Sequence, residues 1–282
     1  MALQANRQLA TAEFWRDERL PRVEMRSVRA GHGICYARHF HDTVTIGAIV
    51  QGACLHSTEQ HKHALTAGTL VVVNPGEIHD CVKVGHQPLS YLMLYVDASL
   101  VAAHQGRPDE ARPGGFRPFA STVTGRLFHE LAALHGMLVR PDLALLAKDC
   151  ALHVFLMRLN AALVQSQGPR YHPAPSRKLA MAAEFIHASF QSSLKLEDIG
   201  AASGLSVSQL IRSFARQFGM SPHQYLTHRR IQFAKDQLRA GHPIAAVAVD
   251  AGFADQAHLQ RTFKAQMAAT PGQYQGSIRR RS

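Results

Sequence analysis

Two arginines, Arg212 and Arg261, stand in the same phrase of this chain. Leu210, Arg212, Phe214 and Pro222 recur as Leu259, Arg261, Phe263 and Pro271, all displaced by 49 residues. A guanidinium is a planar fork that pairs bidentately with the major-groove edge of guanine, and a carboxamide does the same with adenine. Helical spacing then divides each copy into two faces. Val207, Leu210, Phe214 and Phe218 make an apolar stripe in the first copy, while Ser208, Gln209, Arg212 and Arg216 point away from it. In the second, Leu259, Phe263 and Met267 make the stripe, and Ala257, His258, Arg261 and Lys264 face outward. Such a basic, polar face can address base edges and phosphates together.

A second group of residues suits a different chemistry. Eight of the 18 histidines fall between His32 and His86, including His39 and His41 in "HFHD" and His79 in "GTLVVVNPGEIHD". Neutral imidazole suits zinc, iron, nickel and copper. Polar imidazoles with a nearby carboxylate such as Glu77 also suit a small organic ligand. No nucleophile–base pair and no phosphate loop occurs anywhere, so no catalytic residue is assigned.

The elements that must position these groups follow from pattern. Each copy of the repeat orders a short helix, a glycine, a capping residue and a longer helix. The first runs over about 196–218, with Ser206 as N-cap and Gln209 at capping-box spacing; the second runs over about 243–268, with Pro243 at its start and Asp255 as N-cap. Gly204 and Gly252 sit where the chain turns sharply between packed helices. This is the helix-turn-helix layout, whose second helix enters the major groove. Between the copies, Pro222 to about Ala240 contains no breaker and predicts one continuous helix of ~28 Å. On it Leu226, Ala234 and Leu238 should pack inward, leaving Arg229, Arg230 and Lys235 partly solvated or near phosphate.

Upstream, "TVTIGAIV", "GTLVVVN" and "LSYLMLYV", punctuated by glycine and proline, predict short strands of a compact barrel or sandwich over about His39–Asp97. "RPDEARPGGFRP" (107–118) reads as a loop, and helical stretches follow at about 121–138 and 141–165. "QGPRYHPAPS" (167–176), with three prolines and a glycine, reads as a linker. After it, Leu179, Ala182, Ala183, Ile186 and Phe190 mark an amphipathic helix. The fold class is therefore α+β in two domains: a β-rich domain with following helices over 1–166, and an all-α domain with two helix-turn-helix units over 177–282.

At 282 residues the chain can bury two cores. Its formal net charge of +11 is uneven: from Ser176 onward 14 Lys and Arg face 6 Asp and Glu, a balance of +8, against 17 and 14, or +3, before it. Basic charge gathered in the shorter part suggests a polyanion partner. No apolar run is long enough to cross a bilayer or resembles a signal peptide, which predicts a cytoplasmic protein without a membrane partner. Cys35, Cys54, Cys81 and Cys150 form no CxxC pair and read as reduced thiols packed as small hydrophobes.

On "DIGAASGLSVSQLIRSFARQFGMSPHQYL", "RIQFAKDQL" and "AVAVDAGFADQAHLQRTFKAQMAATPGQY", the region of about Ser176–Tyr274 resembles the AraC/XylS-type family of bacterial transcriptional regulators. The resemblance implies two helix-turn-helix units in adjacent major grooves of double-stranded promoter DNA. It places base contacts at Ser208, Ile211 and Arg212, then at Gln256, Ala257, Gln260 and Arg261. Arg216 and Lys264 flank these on the same faces. Ile211 and Ala257 replace common polar residues, so readout there is apolar, and Gln275 stands where the family has Arg, losing one phosphate contact. The histidine-rich part resembles the family's N-terminal cupin-like β-barrel. That implies a small-molecule effector pocket, assigned here to His39, His41, Glu77 and His79.

A cupin enzyme would ligate metal through His-x-His, a downstream Glu and a final His. The carboxylate expected shortly after His41 is missing, with Glu59 and Glu77 out of pattern. The sequence therefore predicts no cofactor and no metal, and leaves a metal-dependent cupin enzyme fused to a DNA-binding domain as the alternative. The expected function is a ligand-responsive, sequence-specific transcriptional regulator. The resemblance favours an activator, which implies RNA polymerase as a partner, and a possible homodimer through the 141–165 helix.

Overall fold

The computed structural model describes residues 11–31, 35–58, 62–105, 123–165, 175–267 and 269–279. The chain divides into two compact units, one made largely of residues up to 171 and the other largely of residues from 172 onward. The loop read at 107–118, and the linker read at 167–176 as far as residue 174, lie outside the described residues.

Among the described residues the strands come first: β1 (Thr11–Trp15), β2 (Val23–Gly31), β3 (Cys35–His39), β4 (Val44–Gln51), β5 (Ala53–Thr58), β6 (Lys62–Thr66), β7 (Thr69–Val73), β8 (His79–Val84) and β9 (Leu89–Val96). Then come α1 (Ala98–His104), the short β10 (Val123–Thr124), α2 (Arg126–Leu138) and α3 (Leu145–Gln165). One sheet has the order β1-β2-β9-β4-β7-β10 and the other β3-β8-β5-β6. Among the described residues these orders do not close into a ring. The β-rich domain expected from the sequence, as a barrel or sandwich, is thus a pair of sheets that stay open among the described residues.

Strict alternation builds the six-stranded sheet. Trp15, Met25, Leu94, Ile46 and Val72 are paired in register across five strands. All five join one core with Leu131, Leu134 and Leu138 of α2 and Leu152, Phe155 and Leu159 of α3. Glu24, Tyr95, Thr45 and Val73 form the neighbouring row on the opposite face, and they are buried too. A sheet covered on both faces explains why its strands read as near-continuous apolar runs. Gly47 belongs to this second face, where a Cβ would come within 2.7 Å of Met93 Sδ. The helix expected from about 141 starts only at Leu145, because Pro141–Leu143 form a turn that an Arg140–Asp142 ion pair braces.

The second unit is helical: α4 (Arg177–Ser189), α5 (Leu196–Ser203), α6 (Val207–Phe218), α7 (Pro222–Arg239), α8 (Ile244–Asp250), α9 (Gln256–Met267) and α10 (Pro271–Arg279). Leu179, Ala182 and Ile186 of α4 pack with Ile199, Leu210, Phe214 and Leu226 in one cluster. The repeat reappears as the same aromatic pair in both halves. Phe214 and Tyr225 lie 5.4 Å apart edge-to-face, and so do Phe263 and Tyr274.

Gly200 sits where α5 crosses the chain leading into α6, and an added Cβ would lie 2.7 Å from the Leu205 carbonyl oxygen. That contact is with backbone, so the turn itself would have to open. Helix propensity favours alanine over glycine by about 1 kcal/mol, whereas forcing atoms into a packed site costs about 1–3 kcal/mol. The clash should win. Gly200→Ala is expected to lower stability in urea unfolding, whereas Gly136→Ala, in α2 with nothing within 4 Å, should raise it by about 0.5–1 kcal/mol. Equal effects of the two changes would show that Gly200 is not held by this contact.

Candidate nucleic-acid interface and candidate ligand site

The turn between α5 and α6 is made by Gly204, which adopts the left-handed conformation at φ 65°. Ser206 then caps α6. Gln209 N–H donates to Ser206 Oγ at 3.3 Å, and Ser206 N–H donates to Gln209 Oε1 at 3.1 Å. Gln209 is thereby held at the helix start. In the second unit Gly252 (φ 79°) makes the turn, and a Cβ there would lie 2.6 Å from the Gln191 carbonyl oxygen. Asp255 Oδ1 accepts from His258 N–H at 2.6 Å and caps α9.

With the stripes buried, the opposite faces turn outward. Leu210, Phe214, Leu259, Phe263 and Met267 are buried. Ser208, Ile211, Arg212 and Arg216 on α6 are exposed, as are Gln256, Ala257, Gln260, Arg261 and Lys264 on α9. Arg212, Arg216, Arg261 and Lys264 form no ion pair among the described residues. Four cations therefore project from two equivalent helices with no acidic partner among the described residues. His258, expected to face outward as well, is half-buried and packs edge-on against Phe253 at 5.1 Å.

The linking helix is α7, 18 residues long, with Pro222 in its first turn and Ser221 and Gln224 forming a capping box. Leu226, Ala234 and Leu238 are buried as expected, together with Ile231 and His228. Burial, then the charges of Lys235 and Arg229, hold the His228 imidazole well below its usual range, so it stays neutral. Arg230 is half-buried, in keeping with partial solvation, but it has a further role. Its guanidinium donates to the carbonyls of Phe190 and Ser192, at 2.7 and 2.8 Å, which bolts α7 to the end of α4. Burial lowers its pKa. Gln275 has a similar role that sequence reasoning missed, because its Nε2 donates to the His242 carbonyl at 2.7 Å and ties α10 to the entry of α8.

In the β-rich part, the structure brings together three of the four residues assigned to an effector pocket. His39, His41 and His79 are all buried, and one ring nitrogen from each lies within 4.8 Å of the others. The His39 and His79 rings are 4.4 Å apart, and His41 meets Tyr95 edge-on at 5.3 Å. Glu77 is not part of this group, since its Oε2 accepts from Asn74 N–H and Nδ2 at 3.0 and 3.2 Å. Glu59 lies outside the described residues.

Sequence reasoning passed over a further set of buried polar groups on β2 and β4: Glu24, Arg26 and Thr45. Arg16 donates to Glu24 at 2.8 Å. The Arg26 guanidinium lies over the rings of Phe14 and Tyr91, at 5.2 and 5.8 Å. The alternation in "VEMRSV" carried the signal, because it puts Glu24 and Arg26 on the face opposite Met25. Cys54 is buried, and a hydrogen bond from Cys81 on the neighbouring strand lowers its thiol pKa.

No helix among the described residues is long and apolar enough to cross a membrane. Residues 26–154 match the model of the AraC-like ligand binding domain, and residues 199–277 match a helix-turn-helix domain. YbfI of Bacillus subtilis, named an uncharacterized HTH-type transcriptional regulator, is 30% identical over 232 residues, covering 79% of this chain and 81% of that protein. RhaS of Yersinia pestis, named a transcriptional activator, is 22% identical over 240 residues, covering 84% and 88%. The fold is that of ToxT from Vibrio cholerae, solved with unsaturated fatty acid bound, at a TM-score of 0.59 and 13% identity over 96% of each chain. Two helix-turn-helix units behind a β-rich ligand-binding domain, matched along most of its length by a full-length relative, place this chain in the AraC family of transcriptional regulators.

Proposed function

We propose that this regulator reads promoter DNA with α6 and α9 together and is a cytoplasmic activator, not an enzyme, that works alongside RNA polymerase. The observation that supports this best is the pair of equivalent exposed faces, Ser208–Ile211–Arg212–Arg216 and Gln256–Ala257–Gln260–Arg261–Lys264, with no ion pair on either among the described residues. Arg212 and Arg261 supply base specificity, and Arg216 and Lys264 supply mainly phosphate affinity. Domain limits of 1–166 and 177–282, joined through 167–176, fit this division of labour. The β-rich domain senses a small organic effector around His39, His41 and His79, with Glu77 shaping the adjoining turn. RhaS is named an activator, which supports the sign of regulation.

A homodimer through α3 belongs to the same reading. Leu146, Cys150, Val154, Met157 and Ala161 are all exposed. At 100° per residue they fall within an arc of about 80° on that helix. An apolar stripe this narrow is the seam of a helix pair.

Arg212→Ala should cost about 1–3 kcal/mol at the cognate site and relax one base position in binding-site selection. Equal weakening on cognate and random DNA would assign Arg212 to phosphate instead. One Ala inserted after Gln232 keeps α7 helical but turns the second unit by about 100° relative to the first. The footprint should then shrink to one groove. An intact two-groove footprint at unchanged affinity would mean that α7 is a passive linker, not a ruler of about 27 Å that sets two reading heads one helical turn apart. Met157→Glu should weaken self-association in sedimentation by about tenfold or more, because it buries a charge at the seam. Unchanged dimerisation would clear α3 of that role.

A further inference from the structure

We propose that Cys54 and Cys81 form a reversible, oxidant-sensitive disulfide site in the β-rich unit. Cys54 lies in β5 and Cys81 in β8, and the two strands are neighbours in the four-stranded sheet. Their thiols meet, because the Cys81 S–H donates to the Cys54 sulphur. Alternation along the strands brings this about. Val82 and Val84 are exposed on one face of β8, which turns Cys81 to the other face, where Cys54 is wholly buried. Facing residues on paired strands stand about 4.5–5.5 Å apart at Cα, and a disulfide spans about 4.4–6.8 Å. Closing the bond therefore requires rotation of two short side chains and no shift of either strand.

The contact also prepares the chemistry. The hydrogen bond from Cys81 outweighs burial and holds the Cys54 thiol below its usual range, so one sulphur of the pair is more readily a thiolate than a lone thiol is. Two thiols with no third metal-donor side chain clustered beside them among the described residues fall short of the four ligands of a structural zinc site. Cys81 is partly exposed and Cys54 is not, so a hydroperoxide meets Cys81 first. Passing the shared proton to Cys54 leaves the thiolate on Cys81. That sulphur attacks one peroxide oxygen: an S–O bond forms, the O–O bond breaks, and hydroxide leaves and takes a proton from solvent. Cys54 then attacks the Cys81 sulphur: the S–S bond forms, the S–O bond breaks, and the departing hydroxide takes the Cys54 proton. Two thiols and one hydrogen peroxide become one disulfide and two waters. Where thiols are kept reduced, disulfides of this kind act as transient redox sensors. The β-rich unit thereby carries a covalent input that is independent of any bound effector.

The test is thiol counting on the full chain, fully reduced and then exposed to hydrogen peroxide. Remaining thiols are blocked with N-ethylmaleimide, and the linkage is mapped by mass spectrometry of a non-reducing digest. The chain has four cysteines. The expected result is joint loss of two thiols, a cross-linked peptide joining Cys54 to Cys81, and recovery of both thiols with dithiothreitol. Cys150 is exposed and serves as the control, and Cys150→Ser should leave the linkage and its rate unchanged. Cys81→Ser should abolish the linkage and slow loss of the Cys54 thiol by about tenfold or more. Because a substitution in a packed sheet can impair folding, the linkage mapped in the natural chain is a readout that needs no variant. Absence of the Cys54–Cys81 peptide after oxidation, or a linkage to Cys35 or Cys150 in its place, would overturn the proposal. Equally fast loss of the Cys54 thiol in Cys81→Ser would overturn it too, since Cys54 would then react alone.

Discussion

Phe214 and Phe263 expose no surface at all, and each meets a tyrosine, Tyr225 or Tyr274, at the same 5.4 Å. Fully burying such a side chain is worth about 1.5–3 kcal/mol, and an edge-to-face partner adds about 0.5–1.5 kcal/mol. What matters for function is that this burial also fixes rotation. A residue two positions earlier on a helix lies about 200° away, so a buried Phe214 sends Arg212 outward and a buried Phe263 sends Arg261 outward. A single packing constraint, used twice, aims both reading side chains.

The rest of the helical unit keeps those two aims in a constant relation. Ser221 with Gln224, and Thr270 with Gln273, form reciprocal caps one repeat apart, with all four hydrogen bonds between 2.8 and 3.2 Å. Each cap starts the helix that carries the tyrosine, so it sets the approach of Tyr225 or Tyr274 to its phenylalanine. Arg230 and Gln275 then fasten α7 and α10 through backbone carbonyls. A carbonyl is present whatever the side chain, so these bonds constrain helix position without requiring a matching residue type. They leave the exposed cations of α6 and α9 uncommitted.

The helical unit was readable in the sequence for the same reason that it works. Its interactions are local: stripes at helical spacing, caps three residues apart, glycines at turns, all duplicated at a fixed offset. Arg230 shows where that reading stops. Its spacing on α7 resembles that of a solvated cation, and only the tertiary approach of the end of α4 turns it into a bolt. In the β-rich part the strands were readable, but the partition into two open sheets was not, since strand pairing is non-local and apolar runs buried on both faces carry no sidedness. The histidines stand out in the sequence by type. That the His39 and His79 rings would meet while Glu77 turned away to Asn74 depends on the pairing of β3 with β8, to which sequence spacing is blind.

The two faces of the six-stranded sheet suggest why a sensor is built this way. The face carrying Met25, Ile46 and Leu94 is largely apolar, with Ser27 and its partner Glu13 as polar members on β2 and β1, and it packs on α2 and α3, so it has little reason to change. The other face carries Glu24, Arg26 and Thr45, with Tyr91 and Tyr95 among them, all buried. Buried polar groups are costly unless their hydrogen bonds are satisfied. A change in what occupies that environment therefore alters its energy far more than it would in an apolar core. The helix whose exposed stripe forms the dimer seam in our reading is α3, and its buried side grips the same sheet through Leu152, Phe155 and Leu159. Any rearrangement of the polar face that reached β4 or β9 would act on α3 through that apolar grip, with no hinge required. The two faces share one layer of backbone because a strand gives alternate residues to each.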